Sequence, residues 1–206
     1  MRIFKYGKLF ELFYPNRTWS IPTKEKVIYL TFDDGPVPEA TPWVLDQLEK
    51  YQAKATFFMV GDNVKKNPEI YKEVVNKGHS VANHTHNHVN GKYSRTKEYV
   101  DNIEECQTFI EKDNPKKLFR PPYGRMIKKQ VNALKDNYKI IMWSVLTYDF
   151  DNSLDAKECL AKSIALTKKG SIILMHDSVK TIKKLEKVLP AYLEHFTKEG
   201  YEFRTL

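Results

Sequence analysis

Short apolar runs alternate with amphipathic helical stretches from Val27 to the C-terminus, and that alternation restricts the chain to α/β architectures. Strands are expected at 27–32, 55–60, 80–82, 118–120, 140–145, 171–175 and 201–205. Helices are expected between them, at 40–51, 68–76, 94–112, 128–137, 155–168 and 182–198. Punctuation supports these limits: Asn67-Pro68 opens one helix, and Gly78, Gly170 and Gly200 follow helix ends. Pro190 should kink the last helix or divide it. Strands separated by helices imply a mainly parallel sheet.

Polar residues decide between an open sheet and a closed one. Asp33-Asp34, the histidines of 84–88, Arg120, Asp149 and His176-Asp177 follow five different strands. Side chains at five strand ends converge naturally only if the sheet closes on itself, whereas an open sheet gathers most of them near one switch point. The expected fold is therefore an irregular (β/α) barrel of about seven strands. A chain of 206 residues suffices for one such domain, taken as 26–206, preceded by an N-terminal arm at 1–25.

The arm is rich in aromatics. On a helical wheel Ile3, Tyr6, Leu9, Phe10, Phe13 and Tyr14 share a face opposite Lys5, Lys8 and Glu11. Such a face packs on its own domain or lies on a membrane surface, the former being the commoner outcome. It makes a poor signal peptide, and no run is long enough to span a bilayer; on those grounds alone the cytoplasm or a membrane periphery is expected, and the compartment itself is not legible. The formal charge of +8 is spread over most helices without a nucleic-acid-binding motif, as expected of a solvated lysine-rich surface. Cys106 and Cys159 are expected as small buried hydrophobes.

Chemistry concentrates in two motifs. Asp33 and Asp34 end the first apolar run, before Gly35-Pro36, and His84-Thr85-His86-Asn87-His88 comes some way downstream. Carboxylate and imidazole suit a borderline ion such as zinc, and histidines four apart can share one face of a helical turn. Three protein ligands leave a position open for water, as hydrolytic sites do, and a surplus carboxylate is then free to take a proton. Each residue alone has a plainer role: Asp34 in a turn, Arg120 on the surface, His176 as a satisfied buried histidine.

In combination the residues resemble a family. Thr31-Phe32-Asp33-Asp34-Gly35, His84-Thr85-His86-Asn87-His88, Arg120-Pro121-Pro122-Tyr123-Gly124 and Leu174-Met175-His176 occur in the order of the polysaccharide deacetylase motifs. The resemblance implies a divalent metal, zinc first and cobalt or another transition metal as substitutes, held by Asp34, His84 and His88. It implies Asp33 as general base steadied by Arg120, and His176 as general acid. It implies that the Tyr123 backbone N–H faces the developing oxyanion and that Leu174 lines the pocket for the acetyl methyl. His86 is left as a surface residue or one acting behind the ligands.

One stretch departs from the family. Leu146-Thr147-Tyr148-Asp149-Phe150 puts leucine at the usual first aspartate and phenylalanine at the usual tryptophan. Asp149 matches the residue that orients the acid histidine, with Asp151 its competitor, and Phe150 remains as an aromatic wall for substrate. The implied reaction is removal of N-acetyl groups from N-acetylglucosamine in a peptidoglycan- or chitin-like glycan, with a carbohydrate partner, no nucleic acid, and a membrane surface or cell wall as the place of association. The rivals are hydrolysis of a non-glycan amide or imide, and a metal-holding barrel that binds glycan without turnover. A phosphoacceptor domain would leave His84, His88 and His176 without work. Oligomeric state is not legible.

Overall fold

The computed structural model describes Phe4 and residues 8–206. Ile3, Tyr6 and the side chain of Leu9, on the predicted apolar face of the arm, lie outside the described residues.

The central strand β1 (Val27–Asp33) pairs in parallel with β2 (Ala55–Met59) on one side and β7 (Ile172–His176) on the other. From there the sheet runs outward through β3 (Ser80–Asn83), β4 (Leu118–Phe119) and β5 (Lys139–Ile140), and on the far side to β6 (Val145–Leu146). The order is β5-β4-β3-β2-β1-β7-β6. The last strand, β8 (Glu202–Phe203), pairs with the start of β1 below the point where β2 joins it. The result is a curled half-barrel ringed by helices, as the sequence predicted.

Period-two alternation sorts the strand residues onto two faces. Ile28, Leu30, Phe32, Phe57, Met59, Ile173 and Met175 join one core cluster with Leu185, Leu189 and Tyr192 of the outer helix α8 (Ile182–Lys198). Phe58, Ala82, Leu146, Ile172 and Leu174 belong to a second cluster inside the curl. Thr31 and Asp33 of β1 share that inner face, as does His176 of β7. The same alternation that builds the core thus aims the polar ends of β1 and β7 into the barrel.

One expectation fails. The predicted strand at 140–145 is two strands at opposite ends of the sheet, β5 on β4 and β6 on β7. The carbonyls of Ile141 and Met142, which a ladder would use, accept from the Arg120 guanidinium instead, at 3.3 and 2.9 Å. The N-terminal segment fills the gap this leaves: Thr18 bridges Ile141, Ser20 bridges Ser171, and Leu146 N–H donates to Phe4 O over 2.9 Å. Of the two outcomes expected at Pro190, division does not occur: α8 runs through it from Ile182 to Lys198. An interior proline costs about 3 kcal/mol, and burial of Leu185, Val188, Leu189, Tyr192, Leu193 and Phe196 at about 1.5–3 kcal/mol each outweighs it.

The other helices are α1 (Lys8–Phe13), α2 (Thr41–Lys50), α3 (Gly61–Lys66), α4 (Pro68–Asn76), α5 (Thr96–Ile110), α6 (Lys128–Leu134) and α7 (Ala156–Leu166). In α1 Phe10 packs on Trp19 at 5.6 Å, but Phe13, predicted on the same face, is 68% exposed. Cys106 and Cys159 are buried and unpaired, as expected. His79 accepts the Ala55 N–H at 3.2 Å, and burial, aided by Lys54 and Lys77, pushes its pKa down to about 4. No helix among the described residues is long and apolar enough to cross a membrane.

Candidate active site

The turn after β1 is held from both sides. Asp34 has φ 86°, a conformation costly for a non-glycine residue. Asn63 Nδ2 donates to Asp34 O at 2.7 Å, Gly35 N–H donates to Asp177 Oδ1 at 3.1 Å, and Val60 N–H donates to Gly35 O at 3.0 Å. A Cβ at position 35 would lie 2.1 Å from Asp177 Oδ2, so only glycine fits. Asp177 is itself buried and takes a hydrogen bond from Thr41 Oγ1 at 2.6 Å. Burial, with the charge of Asp34 adding, pushes its pKa up to about 8 against those hydrogen bonds.

Asp34, His84 and His88 converge, with one candidate ligand atom from each lying within 4.8 Å of the others. Asp34 Oδ1 is 3.2 Å from His88 Nε2 and 3.8 Å from His84 Nε2. Tetrahedral bonds of 2.0–2.1 Å would separate ligand atoms by roughly 3.3 Å, so the trio fits an ion such as zinc. The donor chemistry agrees: Asp34 Oδ1 is buried with no hydrogen bond among the described residues. His84 Nδ1 sits 2.8 Å from the Arg120 carbonyl, an acceptor that fixes the ring and leaves Nε2 for a ligand bond. Burial, opposed by Asp33, pushes the His84 pKa down to about 4, so the ring is neutral at neutral pH. Burial opposes charge on Asp34 too, but His88, His176 and His84 around it hold the carboxyl below its usual range.

The two histidines do not sit on a helical turn, contrary to expectation. Residues 84–88 form a loop in which Thr85 and His88 have φ of 65° and 54°. The loop is pinned by Thr85 N–H to Asn83 Oδ1 at 2.9 Å, and by Gly61 N–H, which opens α3, to Thr85 O at 3.0 Å. His86 is directed elsewhere, stacked on Phe109 at 5.4 Å with Nε2 3.3 Å from Glu105.

Two charged pairs flank the trio. Arg120, fully buried, donates from Nη1 to Asp33 Oδ1 at 2.6 Å and to Thr31 Oγ1 at 2.8 Å, with its guanidinium over the Phe58 ring. Asp33 Oδ2 lies 3.7 Å from His84 Nε2. On the other side His176 Nδ1 is 2.9 Å from Asp149 Oδ1, and His176 N–H donates to Asp149 Oδ2 at 2.7 Å. Burial alone would depress the His176 imidazolium, but Asp149, then Asp34 and Asp33, outweigh it and push its pKa up to about 10. Asp149 rather than Asp151 is the partner; an Asp151 oxygen accepts from Ser153.

Asp33 and His176 are register partners across β1 and β7, and both line one cavity of about 730 Å³, with Arg120 and Asp149 buried behind them. Leu174 and its register partner Leu146 line it, as do Tyr123, Phe150 and Trp143. Phe150 meets His176 edge-on at 5.3 Å. Tyr123 has φ 60° and meets His88 edge-on at 4.8 Å. Gly124 must stay glycine, because a Cβ there would lie 2.7 Å from Trp143 Cη2. Sequence reasoning did not single out Asn63, Asp177 or Trp143 as site residues. Asp177 was placed with His176 at a strand end but given no role, and the other two carried no signal.

The family model for polysaccharide deacetylase matches residues 20–139. A peptidoglycan-N-acetylglucosamine deacetylase of Bacillus cereus is 37% identical over 196 residues, covering 92% of this chain and 90% of the relative. The peptidoglycan-N-acetylmuramic acid deacetylase PdaC of Bacillus subtilis is 31% identical over 91% of this chain, which spans 39% of that relative's length. The crystal structure of the Bc1960 peptidoglycan N-acetylglucosamine deacetylase superposes with a TM-score of 0.87 at 31% identity, covering 96% of this chain and 94% of its own. The chain belongs to the polysaccharide deacetylase family, hydrolases that act on carbon–nitrogen bonds.

Proposed function

We propose that the chain hydrolyses the N-acetyl group of N-acetylglucosamine residues in peptidoglycan-like glycans at the cell wall. The observation that carries this reading is the facing of Asp33–Arg120 and His176–Asp149 across the Asp34, His84, His88 trio. A divalent ion held by that trio would polarise the amide carbonyl and bring a bound water's pKa down to roughly 7. Asp33 takes the proton from the attacking water, and Arg120 fixes the carboxylate in place by a direct hydrogen bond. His176, kept protonated by Asp149, delivers a proton to the nitrogen as the C–N bond breaks, so that the sugar leaves as an amine. The Tyr123 backbone N–H supports the oxyanion, and Leu174, with Leu146, gives the acyl methyl an apolar seat.

Leu146 favours a second reading at the level of substrate, since an apolar floor also suits a non-glycan amide or imide. Mass spectrometry of peptidoglycan fragments treated with the metal-loaded protein separates the readings. Loss of acetyl from the glucosamine sugar is expected. Loss only from the muramic sugar, or only from simple amides, would overturn the assignment.

A further inference from the structure

We propose that a second cavity, between the N-terminal segment and the loop after β4, is a subsite for a carboxylate carried by the glycan substrate. The cavity measures about 430 Å³ and its lining includes Tyr14, Asn16, Arg17, Met126, Lys128 and Asn132. No acidic side chain among the described residues lines it. Arg17 is half-buried and lies over the Tyr14 ring, 4.6 Å from its centroid. Arg95, Arg120 and Arg204 each have a carboxylate partner, but none pairs with Arg17 among the described residues. Burial disfavours its charge, which the nearby Tyr14 and Tyr99 only partly offset.

A guanidinium desolvated without an anion is costly, and an incoming carboxylate satisfies it with charge-assisted hydrogen bonds. The Tyr14 ring, between Arg17 and Phe10, holds the guanidinium in place, while Asn16, Asn132 and Lys128 supply donors around it. The two cavities are lined from one stretch of chain: Tyr123 and Gly124 line the cleft, and Met126 and Lys128, where α6 begins, line the second cavity. Three residues of chain reach at most about 11 Å, a span an oligosaccharide covers. The subsite rests on the proposed glycan substrate, and it makes the acid-bearing muramic sugar, rather than a neutral glucosamine polymer, the part of the strand that selects this enzyme.

Deacetylation kinetics of wild type, Arg17→Ala, Arg17→Lys and Lys128→Ala test it on three substrates: a neutral N-acetylglucosamine oligomer, a peptide-free peptidoglycan fragment with its lactyl carboxylate free, and a peptide-bearing fragment. Arg17→Ala should raise KM roughly tenfold on an acid-bearing fragment, with kcat and the neutral oligomer unchanged. Arg17→Lys should recover part of the loss, and Lys128→Ala, at an exposed site, should show the same pattern more weakly. Which fragment responds identifies the lactyl or the peptide carboxylate. An equal rise on the neutral oligomer, or no rise on either fragment, overturns the subsite. Calorimetric binding of the two fragments to wild type and Arg17→Ala keeps the judgement separate from turnover. If the wild type hydrolyses none of the three, the functional reading fails, while tenfold weaker fragment binding by Arg17→Ala still upholds the subsite and unchanged binding sinks it.

Discussion

Arg120 Nη1 donates to Asp33 Oδ1 over 2.6 Å in a part of the barrel where neither side chain is more than 4% exposed. Removing one member of such a pair strands the other charge away from water. Arg120→Met should therefore destabilise the fold by about 3–5 kcal/mol, read as a lower denaturation midpoint. Adding Asp33→Asn should recover part of that loss, because the stranded charge disappears. Simple additivity of the two changes would contradict the pairing.

Metal retention and chemistry should separate between the neighbouring aspartates. Asp34→Ala and His84→Ala are expected to lose bound metal together with activity, as measured by elemental analysis and acetate release. Asp33→Asn should keep its metal and fall roughly 10²–10⁴-fold in kcat. Normal turnover by Asp33→Asn would remove it from the role of base.

Asp149 sets the working range of His176. Because the His176 pKa is pushed up to about 10, its protonated form persists through neutral pH, and in its proposed role as acid the rate should decline as pH rises through that value. Asp149→Asn withdraws the main favourable charge, so the alkaline limb of kcat/KM should move to lower pH. An unmoved limb would mean that His176 does not supply the proton.

His79 gives the fold an acid sensitivity unrelated to catalysis. Its folded-state pKa of about 4 lies below the unfolded value of about 6.5, so the unfolded chain binds the extra proton first. The stabilisation is complete above pH 6.5 and declines as pH falls toward 4, by up to about 3 kcal/mol. His79→Phe loses the acceptor for Ala55 N–H and is less stable at neutral pH, but its stability should decline less over that interval. Denaturant midpoints at pH 7 and pH 4.5 for both proteins check the slope.

Much of this site was legible because its residues stand at strand ends, where period-two alternation and strand order together dictate direction. Asp33 and His176 follow from the inner-face register of β1 and β7, and Arg120 from the end of β4. The break between β5 and β6 was hidden, since Ile141, Met142 and Trp143 are as apolar as a strand and only the arginine's demand for carbonyls shows otherwise. The loop form of 84–88 was hidden as well, because spacing of four residues suits a helical turn and the positive φ at Thr85 and His88 is fixed by tertiary hydrogen bonds. Asn63 escaped notice, and Asp177 was placed at a strand end without a role, for a similar reason: they act on the backbone of Asp34-Gly35 across the fold.

Acetate release by the metal-stripped protein, before and after addition of one equivalent of zinc, bears most directly on the reading. Stripped protein should release none from N-acetylglucosamine-containing peptidoglycan, and zinc should restore turnover in the wild type but not in His84→Ala. Undiminished release by the stripped protein, or equal restoration in His84→Ala, would contradict it.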